Sequence, residues 1–378
     1  PLLIQRIAGS DDVLVAISDR MQRVAAATGQ VRWTGDLLPD VRRVQACGDA
    51  ILAVGPRGVL CLGAGDGRLR WLHALEVDDA GWPFGQKLRD QWMPVVDADA
   101  GKVVVSHLDG RGATLLDATT GRELRTWRFP TYWTRWVGLQ GDTLVAIFSD
   151  DHKTWVEGFA TASGERLSAT DLDGVKRDSR WWRTARSTDR SRLALANEHA
   201  LVVLDLAKRT VLGRSKAGLG EESRVDADGD GWAAYGRRSD RKWTLVTAAA
   251  DGAVRGEAVY AGVDWPWEPA HPRMQDGQGF LLAERPKERA FAVALGADGA
   301  MRWEVDVGNR QQRGWAAAVP LGERVAVLWL GDSSQWAGWT LLSQADGRTE
   351  GSGDLPGGLG RCRNGESGLV ACGGVLIY

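Results

Sequence analysis

The sequence predicts an all-β chain of short antiparallel strands, and three observations carry that prediction. One pattern recurs along most of the 378 residues: alternating apolar residues, a turn ending in glycine, then a basic stretch closing on tryptophan. It is clearest at Ala27-Thr28-Gly29 to Trp33, Gly65-Asp66-Gly67 to Trp71, Thr119-Thr120-Gly121 to Trp127 and Ala297-Asp298-Gly299 to Trp303. Weaker copies stand at Ala162-Ser163-Gly164, Ala250-Asp251-Gly252 and Ala345-Asp346-Gly347, and Ala207-Lys208-Arg209 reads as the same turn without its glycine. Between the turns apolar residues alternate at every second position, which puts successive side chains on opposite faces of a strand, and no long helical period competes with it.

Each repeat resolves into four strands. The second is the plainest: Val41 to Cys47, Ile51 to Val54, Val59 to Leu62, then Arg68 to Trp71, with tight Gly- and Asp-bearing turns between them. Self-similarity at a period of roughly forty residues marks a repeat architecture, and radial repetition of four-stranded antiparallel sheets is a β-propeller. Units begin near Leu2, Val41, Met93, Trp136, Arg183, Ser223, Pro272 and Gly314, and Arg361 to Tyr378 supplies about three further strands. Eight blades are therefore expected, with a ninth or an incomplete last blade as the other arrangement. Residues 1–378 are expected to form a single domain, because each repeat leans on its neighbours.

Lys and Arg number 47, Asp and Glu 49, and the formal net charge is −2, so neither nucleic acid nor an anionic membrane is attracted by the chain as a whole. No apolar run reaches the roughly eighteen residues of a membrane span, and no segment has the pattern of a signal peptide. The chain opens on Pro1 rather than Met and enters a strand pattern almost at once, which points to residues trimmed upstream. Periplasm and cytoplasm both remain as compartments, and the oligomeric state is open. Cys47, Cys61, Cys362 and Cys372 lack the close pairs of a zinc site. Cys362 and Cys372 flank a turn and face each other across a hairpin in this reading, either as a disulfide or as two buried thiols.

The turn and its following tryptophan resemble the quinoprotein-type (PQQ-like, BamB-like) propeller repeats. That resemblance implies that Trp33, Trp71, Trp127 and Trp303 dock neighbouring blades. Each buries on the order of 200 Å² while its N–H reaches a backbone acceptor. Quinone chemistry does not carry over: the quinone-dependent enzymes hold their cofactor with a vicinal disulfide and a calcium-linked carboxylate set, and this chain has no adjacent cysteine pair. PQQ is therefore not expected.

In a meander of four strands, the blade-to-blade connections share one face with the loops between second and third strands. On the opposite face the turns are plain, as at Gly48-Asp49, Gly141-Asp142 and Gly322-Glu323. The connections instead hold Arg89 and Trp92; Trp133, Arg135 and Trp136; Arg180, Trp181, Trp182 and Arg183; Trp265, Trp267 and Glu268; and Arg310, Arg313 and Trp315. With Trp82 in an insertion, nine of the 19 tryptophans lie there, although loops are generally polar. These rings either cover the inner strands with an arginine stacked on each, or anchor a partner, since Trp and Arg dominate binding hot spots. The loops between second and third strands add mixed charge, as at Asp150, Asp151, His152 and Lys153, which suits a protein surface rather than a phosphate track.

Asp226, Asp228 and Asp230 form the sharpest metal-like motif, read as the start of a calcium loop between a first and a second strand. Ala234 and Arg237 stand where the later ligands belong, so at most weak calcium binding is expected. Asp97 and Asp99 read as a turn. No nucleophile elbow, histidine-rich metal set or phosphate loop occurs, and His107, His152 and His199 occupy corresponding loops of successive units. The expected role is a non-catalytic scaffold that binds a protein or peptide on its aromatic face, as a subunit of a bacterial assembly. The other reading is a small-ligand or carbohydrate-binding propeller, or an enzyme, with the channel mouth as its pocket and Glu268 orienting the ligand.

Overall fold

The computed structural model of the chain describes residues 2–75 apart from 8–9, 11, 18, 26–27, 29, 39–40 and 42; 94–172 apart from 109, 130–132 and 151–152; 183–260 apart from 188, 198–199, 216–218, 220–222, 229–230 and 238–242; 273–354 apart from 276–277, 286–288, 297, 299, 310–314, 322 and 331–336; and 370–377 apart from 373–374. Among these residues are eight four-stranded antiparallel sheets, each a meander in chain order, and one two-stranded sheet.

Blade 1 is β1 (Leu2–Arg6), β2 (Asp12–Ile17), β3 (Arg20–Ala25) and β4 (Val31–Asp36). In blade 2 follow β5 (Arg43–Cys47), β6 (Ala50–Gly55), β7 (Gly58–Gly63) and β8 (Leu69–Ala74). Blade 3 has β9 (Val96–Asp99), β10 (Lys102–Ser106), β11 (Gly112–Asp117) and β12 (Glu123–Arg128). Next come β13 (Trp133–Gln140), β14 (Thr143–Ser149), β15 (Thr154–Ala160) and β16 (Arg166–Asp171) as blade 4. β17 (Arg183–Arg186), β18 (Arg192–Ala196), β19 (Leu201–Asp205) and β20 (Thr210–Ser215) make blade 5. Blade 6 comprises β21 (Arg224–Asp228), β22 (Gly231–Arg237), β23 (Trp243–Ala248) and β24 (Val254–Tyr260). The seventh holds β25 (Arg273–Gln275), β26 (Gln278–Arg285), β27 (Arg289–Leu295) and β28 (Met301–Asn309). β29 (Trp315–Leu321), β30 (Arg324–Leu330), β31 (Ala337–Ser343) and β32 (Thr349–Asp354) complete blade 8. β33 (Val370–Cys372) pairs with β34 (Val375–Ile377), and β33 lies beside β1.

The first strands start within three residues of the expected unit boundaries, and the expected remnant after blade 8 is a two-stranded sheet among the described residues. The chain divides into two compact units, Pro1–Asp178 with Glu366–Tyr378, and Ser179–Gly365. Blades 1 to 4 and the β33–β34 pair belong to the first, blades 5 to 8 to the second. Among the described residues, no helix is long and apolar enough to cross a membrane.

The core lies between sheets. Leu14, Met21 and Trp33 of blade 1 pack with Ile51, Leu60 and Leu62 of blade 2. The other face of blade 2, with Leu52, Val54, Cys61 and Trp71, packs on Val103, Val105 and Leu116 of blade 3. In the second unit, Val203 of blade 5 meets Trp232 and Val246 of blade 6, and Phe280 and Trp303 of blade 7 meet Val325 and Val327 of blade 8. A middle strand is covered on both faces, so β6 and β7 are apolar and buried throughout, whereas the fourth strand β8 buries Trp71, half-buries His73 and exposes the rest.

All eight four-stranded sheets share one irregularity. The ladder between third and fourth strands slips by one residue at the same place, leaving Arg32, Arg70, Leu124, Leu167, Leu212, Arg255, Arg302 and Glu350 as the extra residue of a β-bulge. All eight are exposed. A bulge adds local twist and re-aims the next side chain, and that next residue is Trp33, Trp71, Arg125, Ser168, Gly213, Gly256, Trp303 or Gly351.

Where it is tryptophan, the ring lies on the turn of the following blade. The indole N–H donates to Ala64 O at 2.9 Å from Trp33, to Ala118 O at 2.9 Å from Trp71, and to Gln344 O at 2.8 Å from Trp303. The turn glycines beneath the rings have φ of 68° at Gly67, 69° at Gly121 and 72° at Gly347. A side chain at Gly67 would place its Cβ 2.5 Å from Trp33 Cε3, so glycine serves both the left-handed backbone and the close approach. Arg209 holds φ 59° in the turn that lacks glycine, so the fold keeps this conformation without the residue that favours it.

Trp127 packs between blades 3 and 4 as expected, but from a different register and, among the described residues, without the expected backbone acceptor for its N–H. Trp127 sits two residues past the bulge-adjacent position, which Arg125 occupies in its sheet. Arg125 donates from Nε to Thr161 O at 3.2 Å and from Nη2 to Ala162 O at 2.7 Å, taking the acceptor that serves an indole elsewhere. Trp127 is buried among Phe129, Phe148, Trp155 and Phe159, and its Nε1 has no hydrogen-bond partner among the described residues.

Two outcomes test this packing. Trp33→Ala or Trp71→Ala lowers stability by about 3–5 kcal/mol in urea unfolding, as large-to-small changes in a core do; an unchanged midpoint refutes interblade docking. Burial raises the Cys61 thiol from an ordinary 9.0 to about 11, so the folded chain holds that proton more tightly than the unfolded chain. Its contribution to stability is complete below about pH 9 and is lost as pH rises through 11. Thermal melts then fall more steeply over that window for the wild type than for Cys61→Ala, and parallel curves refute it.

Candidate functional site

Strand pairing supplies a common height for every blade. Taking the bulge-adjacent residue as reference, the row across blade 2 is Gln45, Leu52, Cys61, Trp71, and across blade 5 it is Ala185, Ala194, Val203, Gly213. On the first strands this row holds Gln5, Gln45, Asp97, Gly138, Ala185, Asp226, Arg273 and Val319. Two residues toward the N-terminus, on the same strand face, stand Arg43, Trp136, Arg183 and Arg224. Trp136 and Arg183 were legible as candidates from the sequence, whereas Arg43 and Arg224 emerge only when residues are counted from the bulge.

Of the other expected binding residues, Trp92, Trp181, Trp182, Trp265, Trp267 and Arg313 lie outside the described residues, and Trp133 and Trp315 are placed as the first residues of β13 and β29. Arg135 is the extra residue of a second bulge, between β13 and β14. Its Nε donates to the buried Ser149 Oγ at 2.6 Å, and burial holds its guanidinium below the usual arginine range. Trp136 is 6% exposed, and its ring lies over Gly138, where a Cβ would collide with it and would sit 2.9 Å from Asp97 Oδ2. Trp136 is thus a packed ring of the blade 3 to blade 4 contact rather than an open anchor. Arg183, at the start of β17, is exposed.

Blade 4 also carries an aromatic corner around Trp155, which sequence reading did not single out. Lys153 Nζ lies 5.4 Å from the Trp155 ring centroid and 3.0 Å from Asp171 Oδ1, while Trp155 Nε1 donates to Glu157 Oε1 at 2.9 Å. Arg43, in blade 2, reaches solvent yet has protein around much of its side chain. Burial lowers its guanidinium pKa, the charge of nearby Asp97 offsets part of this, and Nη2 donates to Gln45 Oε1 at 3.2 Å. His107 Nε2 is 3.0 Å from Thr114 Oγ1, while His152 and His199 lie outside the described residues. Cys372 is the last residue of β33, and Cys362 lies outside the described residues.

Asp226 and Asp228 lie within β21, paired with Ala233 and Gly231 of β22, rather than in the expected loop, and Asp230 lies outside the described residues. Acidic residues at every second position suit an extended strand as well as a loop. Among the described residues no group of three or more His, Cys, Asp or Glu is placed to hold a metal. Tyr235 Oη donates to Asp226 Oδ2 at 3.2 Å.

Asp97 and Asp99 show what carboxylates do at this register. They too lie in a strand, β9, not in the expected turn. Asp97 Oδ2 accepts the buried Leu139 N–H at 2.8 Å, and Asp99 Oδ2 accepts Gly141 N–H at 3.1 Å. Alternate donors along the unpaired edge of β13 are thereby satisfied by alternate side chains of the neighbouring first strand. Asp97→Ala leaves a buried N–H unpaired and costs about 1–3 kcal/mol, whereas Asn keeps an acceptor and costs less. Equal stabilities of the Ala and Asn variants in denaturant would contradict the clasp.

A scan against family models finds no match for the chain, and no curated protein matches it. Solved structures do. BamB from Moraxella catarrhalis is 14% identical with a TM-score of 0.50, over 87% of this chain and 91% of that one. The computationally designed Ika8 protein is 14% identical with a TM-score of 0.56, over 86% and 92%. A eukaryotic initiation factor is 7% identical with a TM-score of 0.56, over 94% and 88%. At these identities the likeness is one of fold, and the chain is a β-propeller.

Proposed function

We propose that the chain is a non-catalytic scaffold propeller, with residues 1–378 acting as one domain, that docks a protein or peptide on the face of its blade-to-blade connections as a subunit of a bacterial assembly. The observation that carries this reading is the division of labour among tryptophans. Trp33, Trp71 and Trp303 serve blade docking at one repeated position, and Trp127 and Trp136 are buried packing rings. The remaining tryptophans of the connections, Trp92, Trp133, Trp181, Trp182, Trp265, Trp267 and Trp315, stand outside that repeated docking position in the sequence. Trp133, Trp181, Trp182 and Trp315 each stand within two residues of an arginine in the sequence, a composition that dominates binding hot spots, and the mixed charge of the neighbouring loops suits a polar rim.

A triple variant, Trp133→Ala with Trp182→Ala and Trp267→Ala, tests this. Affinity purification with quantitative mass spectrometry is expected to lose the partners held by the wild type, while the melting temperature stays unchanged. Undiminished capture of every partner by a folded triple variant refutes the reading.

A further inference from the structure

We propose that the arginines at the starts of successive first strands in the second unit, Arg183 and Arg224 with Arg273 one row behind, recognise the carboxylates of an acidic peptide segment. This deepens, and rests on, the scaffold reading above.

Register is the first support. Arg183 pairs with Ala196 and Arg224 with Tyr235, each two residues before the reference row, so the two arginines stand at equal height on the same strand face of neighbouring blades. β17 and β21 lie side by side, as do β21 and β25, and Arg273 stands on the reference row itself. Three consecutive blades thus bring a guanidinium-bearing residue to one end of their first strands, the end where the connections enter. Arg43 repeats the position in blade 2 of the first unit.

Sign is the second. Among the described residues of the second unit this row holds Arg183, Arg224 and Ala317, with no acidic member, in a chain whose formal net charge is −2. A single-sign row in a balanced protein attracts an oppositely charged partner and fixes its orientation. The planar guanidinium fork matches a carboxylate bidentately, which gives the row a chemical preference as well as a charge. Asp226 lies two residues along the same face from Arg224. A continuous phosphate backbone would be driven against that carboxylate, whereas a peptide can place acidic side chains beside the arginines alone. An acidic peptide, not a nucleic acid, is therefore the occupant.

The test uses the full chain and fluorescently labelled octaglutamate, read by fluorescence anisotropy at low ionic strength. Saturable binding is expected, weakened at least about tenfold by Arg183→Gln with Arg224→Gln, since truncating one side of a close charge pair costs on that scale. Arg183→Lys with Arg224→Lys binds more weakly than the wild type but more tightly than the Gln pair, which separates charge from misfolding, and a control pair in exposed turns, Arg68→Gln with Arg122→Gln, leaves binding unchanged. Absence of saturable binding, equal loss in the control pair, or tighter binding of single-stranded oligothymidylate overturns the proposal. If the Gln pair keeps partner capture that the tryptophan triple loses, the arginine row falls and the scaffold stands. If octaglutamate binding depends on the arginines while partner capture ignores the tryptophan triple, the reverse holds.

Discussion

One contact is repeated with variations through both units: the residue after the fourth-strand bulge set against the next blade's turn. It works through a coincidence of three local requirements. The bulge turns a side chain out of its own sheet, the following blade offers a carbonyl at the start of its turn, and a left-handed glycine leaves room for a ring. Where all three meet, Trp33, Trp71 and Trp303 bury their faces and satisfy their N–H groups at once. At Arg125, Gly213 and Gly256, where tryptophan is missing, the next blade's turn is met in other ways. Arg125 reaches the same carbonyl with a guanidinium, and at Gly213 a Cβ would meet Asp251 O at 2.5 Å and Gly252 C at 2.9 Å, because backbones have closed directly on each other.

The same bulges serve the edges of the sheets. A fourth strand exposes one row of backbone donors and acceptors, a template for unwanted pairing. Each described blade interrupts that row with a bulge, and four of the eight bulge residues are Arg32, Arg70, Arg255 and Arg302. At the opposite edge, the first strands meet the neighbouring blade, and Asp97 and Asp99 cap the N–H groups of Leu139 in β13 and of Gly141 just beyond it. Charged side chains thus occupy both edges, for different reasons: repulsion and twist at one, satisfaction of donors at the other.

Much of the fold was legible because turn chemistry and strand alternation are local. Arg209 shows how far this goes, since its turn keeps the repeat conformation without glycine. Legibility failed where one pattern has two geometric meanings. Asp226 and Asp228 alternate as calcium ligands do and also as strand residues do. Trp127 follows its turn glycine as the other tryptophans do, but two residues later, and a docking position cannot be recognised without knowing where the bulge falls. Trp136 stood out as an aromatic among arginines, and only the sheet shows it to be covered.

What the sequence by itself determined was the unit: four strands, a glycine turn and a basic fourth strand. These follow from steric preferences and side-chain alternation acting over a few residues. Tertiary structure alone decided which residues of a unit share a height. Arg183 and Arg224 are far apart in the chain and have no common motif, yet counting from each blade's bulge puts them at one register position on adjacent first strands. The reason is physical: cross-strand hydrogen bonding converts separate stretches of chain into a shared register, and a one-residue slip in any ladder would turn those side chains to the other face.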